Sequence, residues 1–181
     1  EIRRWPELIH LHRVVRPPDN SDTCPEIDVA VDVRNPLLGL TGATRIYGPQ
    51  KGLTDRYFAA AESAFDRLTR VAADGEHPPD PAIAGAGAAG GLGYGLHRFA
   101  GGRLQRGFQL YAAAAGLWEL LSESDLVITG EGAIDASTSM GKGTGELARH
   151  CTERGLGCVV IAGVQWGGAE VRAPLEKLFS A

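Results

Sequence analysis

Ile27-Asp28-Val29-Ala30-Val31-Asp32-Val33 sets β-branched residues at every second position, which predicts a strand ending at the Asn35-Pro36 turn signal. The chain before it, residues 1–26, reads as irregular. Pro6, Pro17, Pro18 and Pro25 interrupt any long element, with room for a short helix through Trp5, Leu8, Leu11 and Val14. Phe58, Ala61, Phe65, Leu68 and Ala72 then form one apolar stripe at helical spacing, with Thr54 as candidate N-cap and Gly75 as the stop. Leu92, Leu96 and Phe99 predict a further helix halted at Gly101-Gly102. Residues 108–122 read as helical, with Leu117, Leu120 and Leu121 apolar and Gly116 as a break.

The pattern is most regular near the end. Asp125-Leu126-Val127-Ile128-Thr129 predicts a short buried strand running into a loop at Gly130. Thr144 to Arg154 is an amphipathic helix ending at Gly155, and Cys158-Val159-Val160-Ile161-Ala162 is a second buried strand. Strand, glycine loop, helix and strand over 125–162 make a βαβ unit, whose strands are parallel. The fold class is α/β.

Composition narrows the function. The chain has 181 residues, 44% hydrophobic and 22% charged, an ordinary globular balance. No apolar run approaches the roughly 18 residues of a membrane span, so no membrane partner is expected. A net charge of −4 argues against nucleic acid, which asks for a basic face. Cys24, Cys151 and Cys158 form no CxxC pair, which signals neither a zinc site nor a disulfide framework; a cytoplasmic setting is expected. The first residue is Glu1 rather than Met, and a fragment of a longer protein is the expectation.

Glycine is the outlier, with 25 residues, and it is clustered. One cluster is Gly85, Gly87, Gly90, Gly91, Gly93 and Gly95; another spans Gly130 to Gly145. Lysine is scarce, and Lys51 and Lys142 each stand beside glycine. A compact ammonium next to freely bending backbone suits a bound phosphate, although glycines that merely permit close packing give the same pattern.

Familiar nucleotide motifs fit poorly. Gly85-Ala86-Gly87-Ala88-Ala89-Gly90 satisfies GxGxxG, but a Pro-rich segment precedes it and Gln105 stands where a ribose-binding acid belongs. A Walker A loop fails as well, since Ala136 replaces its first glycine and Gly143 its Ser/Thr. Gly130-Glu131-Gly132-Ala133-Ile134-Asp135 follows a strand's C-terminal end, where open α/β sheets bind ligands. Glu131 and Asp135 there suit either Mg²⁺ or a solvated acidic turn. Asp32 ends its own strand, as substrate contact or turn former. His10 and His12 lack a third ligand nearby, and no GxSxG elbow occurs.

Four segments taken in order resemble the bacterial type I glycerate kinases. They are Asp32-Val33-Arg34-Asn35-Pro36-Leu37-Leu38-Gly39 running to Gly42-Ala43-Thr44; Tyr47-Gly48-Pro49-Gln50-Lys51-Gly52; Gly85 to Gly93; and Asp125 to Gly132 with Ile134-Asp135 and Gly141-Lys142. The resemblance covers about residues 27–163. It implies an ATP- and Mg²⁺-dependent kinase that phosphorylates D-glycerate to 2- or 3-phosphoglycerate. It also implies two α/β domains, one Rossmann-like, with the site in the cleft they form. Residues 1–122 would belong to one domain and 123–181 to part of the Rossmann-like one.

Asp-Ser-Phe-Lys-Gly and Asp-Gly-Gly-Glu-Gly-Thr, which mark the N-terminal half of the family, are absent here. The chain therefore reads as a C-terminal half, with the N-terminal half or a second copy as candidate partner. Val31 replaces a usual Cys, Ala133 a larger side chain, and Ser137-Thr138-Ser139-Met140 the usual Gln-Thr-Leu-x. In the implied mechanism the 85–93 loop and the Gly130-Gly132 loop give backbone N–H groups to phosphates or to the glycerate carboxylate. Lys51 and Lys142 neutralise charge, Glu131 and Asp135 hold Mg²⁺, and Asp32 contacts substrate hydroxyls or acts as base. The competing class is a non-catalytic half that binds nucleotide or a partner chain.

Overall fold

A computed structural model describes residues 4–15, 25–73, 80–134, 138 and 143–165. The chain divides into two compact units, 1–105 and 106–181.

In the first unit a 3-10 turn at Trp5–His10 carries Pro6 in its first turn. The Arg67 guanidinium ties the end of this turn to the rest of the unit by donating to the Leu11 carbonyl at 2.8 Å. Strand β1, Asp28–Val31, is shorter than the alternation predicts and pairs with β2, Arg103–Arg106. Arg103 clamps the pair through Asp28 and Glu26, each at 3.0 Å, on an exposed face where ion pairs contribute little. Helix α1, Ala43–Tyr47, comes after the Asn35-Pro36 segment, and 3-10 turns at Pro49–Lys51 and Asp55–Tyr57 lead into α2, Phe58–Ala72.

The predicted stripe of α2 faces inward: Phe58, Ala61 and Ala72 are buried, as is Ala64 beside them, and Phe65 and Leu68 pack on a core of Leu37, Ala43, Ala86 and Tyr94. Thr54 does not cap this helix. The intervening 3-10 turn moves the cap position to Tyr57, and the Thr54 side chain makes no capping bond. The predicted stop at Gly75 lies outside the described residues. Helix α3, Ala88–Ala100, ends at Gly101 as expected, with Ala89, Gly90 and Gly91 at positive φ in its first turn.

In the second unit α4, Gly107–Ala114, and α5, Leu117–Ser122, break at Gly116 as the sequence predicts. Helix α5 packs with the C-terminal part of the chain. Leu117, Trp118 and Leu121 share a core with Val127, Leu147, Cys151 and Cys158.

Strand β3, Leu126–Ile134, helix α6, Gly143–Glu153, and strand β4, Gly157–Gln165, form the predicted βαβ unit. Its strands are parallel, in register from Leu126 opposite Gly157 to Ile134 opposite Gln165. Gly130-Glu131-Gly132 is therefore strand, not loop. The ladder continues through Gly130 opposite Ile161 and Glu131 opposite Ala162, because small residues let the backbones close up: a Cβ on Gly163 would stand 2.9 Å from the Gly132 carbonyl oxygen. One face of the pair is buried through Val127, while Leu126, Ile128, Val159 and Ile161 on the other are exposed. No helix among the described residues is long and apolar enough to cross a membrane.

Candidate functional site

In the first unit three of the sequence segments converge. Lys51 closes the 3-10 turn at Pro49–Lys51, and its ammonium donates to the Ala89 carbonyl at 3.1 Å. Gly90 has φ +78°, and a Cβ there would stand 2.9 Å from Lys51 Nζ. Glycine at 90 thus lets the lysine lie across this turn. A Cβ on Gly87 would overlap the Pro36 carbonyl, and the Gly87 amide donates to the Asn35 carbonyl at 2.9 Å. The amides of Gly87, Gly90 and Gly91 are all engaged within the fold, the latter two on the Gly87 carbonyl, so the cation of this segment is Lys51. Gly85 and Gly93 serve packing. The former lies against Val31, and a side chain on the latter would overlap the Gly85 carbonyl.

Asn35 links the other two segments. Its Oδ1 accepts from the Tyr47 hydroxyl at 2.6 Å, and its Nδ2 donates to the Thr41 carbonyl at 2.8 Å. Burial, and then the negative charge of Asp32, push the Tyr47 hydroxyl above its ordinary pKa. Asp32 itself is exposed at the end of β1. A cavity of about 300 Å³ opens beside Lys51, lined by Trp5, Thr44, Tyr47, Leu53 and Phe65. Thr44 is buried, and among the described residues its hydroxyl has no partner.

The second unit holds the acidic constellation in part. Glu131 is half-buried on β3, and its Oε2 accepts from the Thr138 hydroxyl at 3.0 Å. Thr138 is fully buried, and the absence of a side chain at Gly145 lets α6 lie against its carbonyl. Asp135 and Lys142 lie outside the described residues. Among the described residues no group of three His, Cys, Asp or Glu comes together, His10 and His12 included.

The same unit contains a charge cluster that sequence reasoning missed. Glu146, 3% exposed, pairs with Arg106 and with Arg149 at 2.8 Å, and Gln109 approaches at 3.5 Å. The hydrogen bond from Arg149 to Glu146 raises the Arg149 pKa further. His150 stacks on Trp118 with ring centroids 4.1 Å apart, and burial followed by Arg154 lowers its pKa. Burial, then the neighbouring Cys158, push the Cys151 thiol up to about 11, so it is no nucleophile at neutral pH. Arg106 and Glu146 carry no local signal, being far apart in sequence. Asn35 and Tyr47 both lie within the kinase-like segments, yet their hydrogen bond joins two segments that no periodicity connects.

Known proteins match most of this chain. The sequence model of the Glycerate kinase family matches residues 7–180. A glycerate kinase of Halalkalibacterium halodurans is 38% identical over 145 residues, covering 80% of this chain and 38% of that protein. A glycerate 2-kinase of Escherichia coli K12 is 40% identical over 116 residues, covering 64% of this chain and 30% of that protein. In three dimensions the chain is similar to a Salmonella typhimurium LT2 protein described as a candidate glycerate kinase 2. The TM-score is 0.62 at 34% identity, over 84% of this chain and 44% of that one. The chain thus spans less than half the length of these relatives. With nearly all of its own length matched, it belongs to the glycerate kinase family.

Proposed function

We propose that this protein phosphorylates D-glycerate with ATP, giving 2- or 3-phosphoglycerate. The observation that carries the reading is the convergence of the Asn35, Lys51 and Gly90 segments in one unit of a glycerate kinase family member. Phosphoryl transfer asks a protein for positioning and charge neutralisation more than for covalent chemistry. Lys51 has ammonium N–H groups to spare beyond its bond to Ala89, and these neutralise phosphate oxygens. Asp32, exposed at the end of β1, accepts the proton of the attacking glycerate hydroxyl. Lys142 is proposed from the sequence as a second neutralising cation.

Mg²⁺ takes oxygen ligands, usually one or two carboxylates with phosphate oxygens and water completing the shell. The Glu131 carboxylate with the Thr138 hydroxyl beside it is a donor set of that kind, and Asp135 is the proposed second carboxylate. Glu131 and Thr138 suit such an ion, and Asp135 is assigned to it from the sequence alone. When bound, Mg²⁺ spreads the negative charge of the nucleotide phosphates. Thr138 holds the Glu131 carboxylate in one orientation.

The test is a coupled ADP-release assay with D-glycerate, run on this chain alone and with the part of the Halalkalibacterium halodurans protein that it does not cover. Glycerate-dependent ADP release in either is the expected result. Its absence in both, with the proteins folded, sinks the reading.

A further inference from the structure

We propose that Asn35 is the positioning residue for the Lys51 ammonium, an inference that rests on the kinase reading only for what that ammonium does. Lys51 Nζ donates to the Ala89 carbonyl at 3.1 Å, and Asn35 is bonded to the segments on both sides of this contact. Towards Lys51 the path runs through the side chain. Asn35 Oδ1 accepts from the Tyr47 hydroxyl at 2.6 Å, and the Lys51 amide donates at 2.9 Å to the carbonyl of Gly48, the residue after Tyr47. Towards Ala89 the path runs through the main chain. The Asn35 carbonyl accepts from the Gly87 amide at 2.9 Å, and the Gly87 carbonyl accepts from the Gly90 amide at 3.0 Å, closing the turn that contains Ala89.

These bonds make a closed ring that passes through Asn35, entering by its side chain and leaving by its main chain. Opening the ring at the side chain leaves the main-chain bonds of the glycine turn in place. It releases the stretch from Tyr47 to Lys51 to move against that turn. Asparagine suits the position because its amide carries one acceptor and one donor in fixed relation. Its Nδ2 donates to the Thr41 carbonyl at 2.8 Å, which turns Oδ1 towards Tyr47. Aspartate would set a second acceptor against that carbonyl, and serine offers one oxygen for two partners.

The experiment reads Lys51 directly. The chain has three lysines, Lys51, Lys142 and Lys177, so trace acetylation with acetic anhydride resolves each amine by peptide mass spectrometry. Asn35→Ala and Tyr47→Phe should each raise the Lys51 rate roughly threefold relative to Lys177, the effect of weakening one hydrogen bond of its ammonium. The double variant should do no more than either single one, because both open the same link. If Asn35→Ala fails to fold, Tyr47→Phe, which keeps the ring, decides alone. In a preparation that turns over glycerate, kcat should fall on the order of tenfold in each variant, with KM for glycerate changed less.

A bond that is only structural would lower the melting temperature and leave the ratio of Lys51 to Lys177 labelling as in the parent. That unchanged ratio overturns the inference, as does a rise shared equally by all three lysines. So does an additive rise in the double variant, or a KM that rises while kcat holds. A rise confined to Lys51 without glycerate turnover in any preparation supports the positioning and removes the kinase reading. Turnover with an unchanged ratio removes the positioning and leaves that reading standing.

Discussion

The ammonium of Lys51 is held on the carbonyl oxygen of Ala89 at 3.1 Å, across a turn that has no side chain at position 90. Gly90→Ala would place a methyl group 2.9 Å from Nζ in a residue whose φ is +78°. Strain from that φ costs roughly 1–2 kcal/mol, and the lysine must move. If Lys51 neutralises phosphate as proposed, Lys51→Met should lower kcat for glycerate phosphorylation on the order of 100-fold, the effect of losing one charge-stabilising contact. Gly90→Ala should lower it in part. Combined with Lys51→Met it should add almost nothing, because both act through one ammonium. Additive losses in a double-mutant cycle would separate the two residues.

Glu131→Gln keeps an acceptor for the Thr138 hydroxyl and removes the charge. If the carboxylate serves a cation, the concentration of Mg²⁺ that half-saturates turnover should rise about tenfold or more, while the melting temperature changes little. An unchanged Mg²⁺ dependence removes Glu131 from the metal site.

Glu146 is buried, whereas its partners Arg106 and Arg149 are 43% and 40% exposed at the side chain. Breaking a fully buried pair typically costs about 3–5 kcal/mol, and solvent around the two guanidinium groups reduces that here. Glu146→Gln should destabilise the second unit by roughly 1–3 kcal/mol, read as a lower urea midpoint with an unchanged m-value. Arg106→Met should cost less, since Arg149 still holds the carboxylate.

His150 is held below its ordinary pKa of 6.5, first by burial and then by Arg154. The folded state therefore favours the neutral ring, while the unfolded chain takes up a proton near 6.5. Stability from this residue is full above that value and is lost as pH falls from it towards the lowered folded pKa. His150→Phe preserves a ring against Trp118 and should flatten the stability profile across that window, measured by urea unfolding at about pH 5 to 8.

The sequence carried the periodic elements well. The stripe on α2, the Gly116 break and the parallel βαβ unit all depend on local patterns or on a short chain of elements. What it missed depends on long-range contact. Thr54 has the right chemistry for an N-cap, yet a 3-10 turn forms next to it instead. Gly130 and Gly132 look like loop residues until β4 is laid beside them, when close backbone approach makes them strand. Asn35 with Tyr47 and Arg106 with Glu146 join distant positions by side-chain bonds that spacing does not encode. Of the proposed site, Lys51 with Gly90 was legible as two separate oddities, a rare lysine and a glycine cluster. Their contact was not.

The uncovered face of the β3–β4 pair governs how this chain behaves as a material. Ile128 is 66% exposed and Ile161 65%, with Leu126 and Val159 beside them, on the kind of sheet that is ordinarily covered on both sides. Attraction by such a surface strengthens on warming and in sulfate. The chain on its own should therefore turn turbid in a heating scan before its circular dichroism changes, and salt out early in ammonium sulfate. Ile128→Lys with Ile161→Lys should delay both without altering the fold. Handling of this chain is thus a question of colloid stability before it is one of folding.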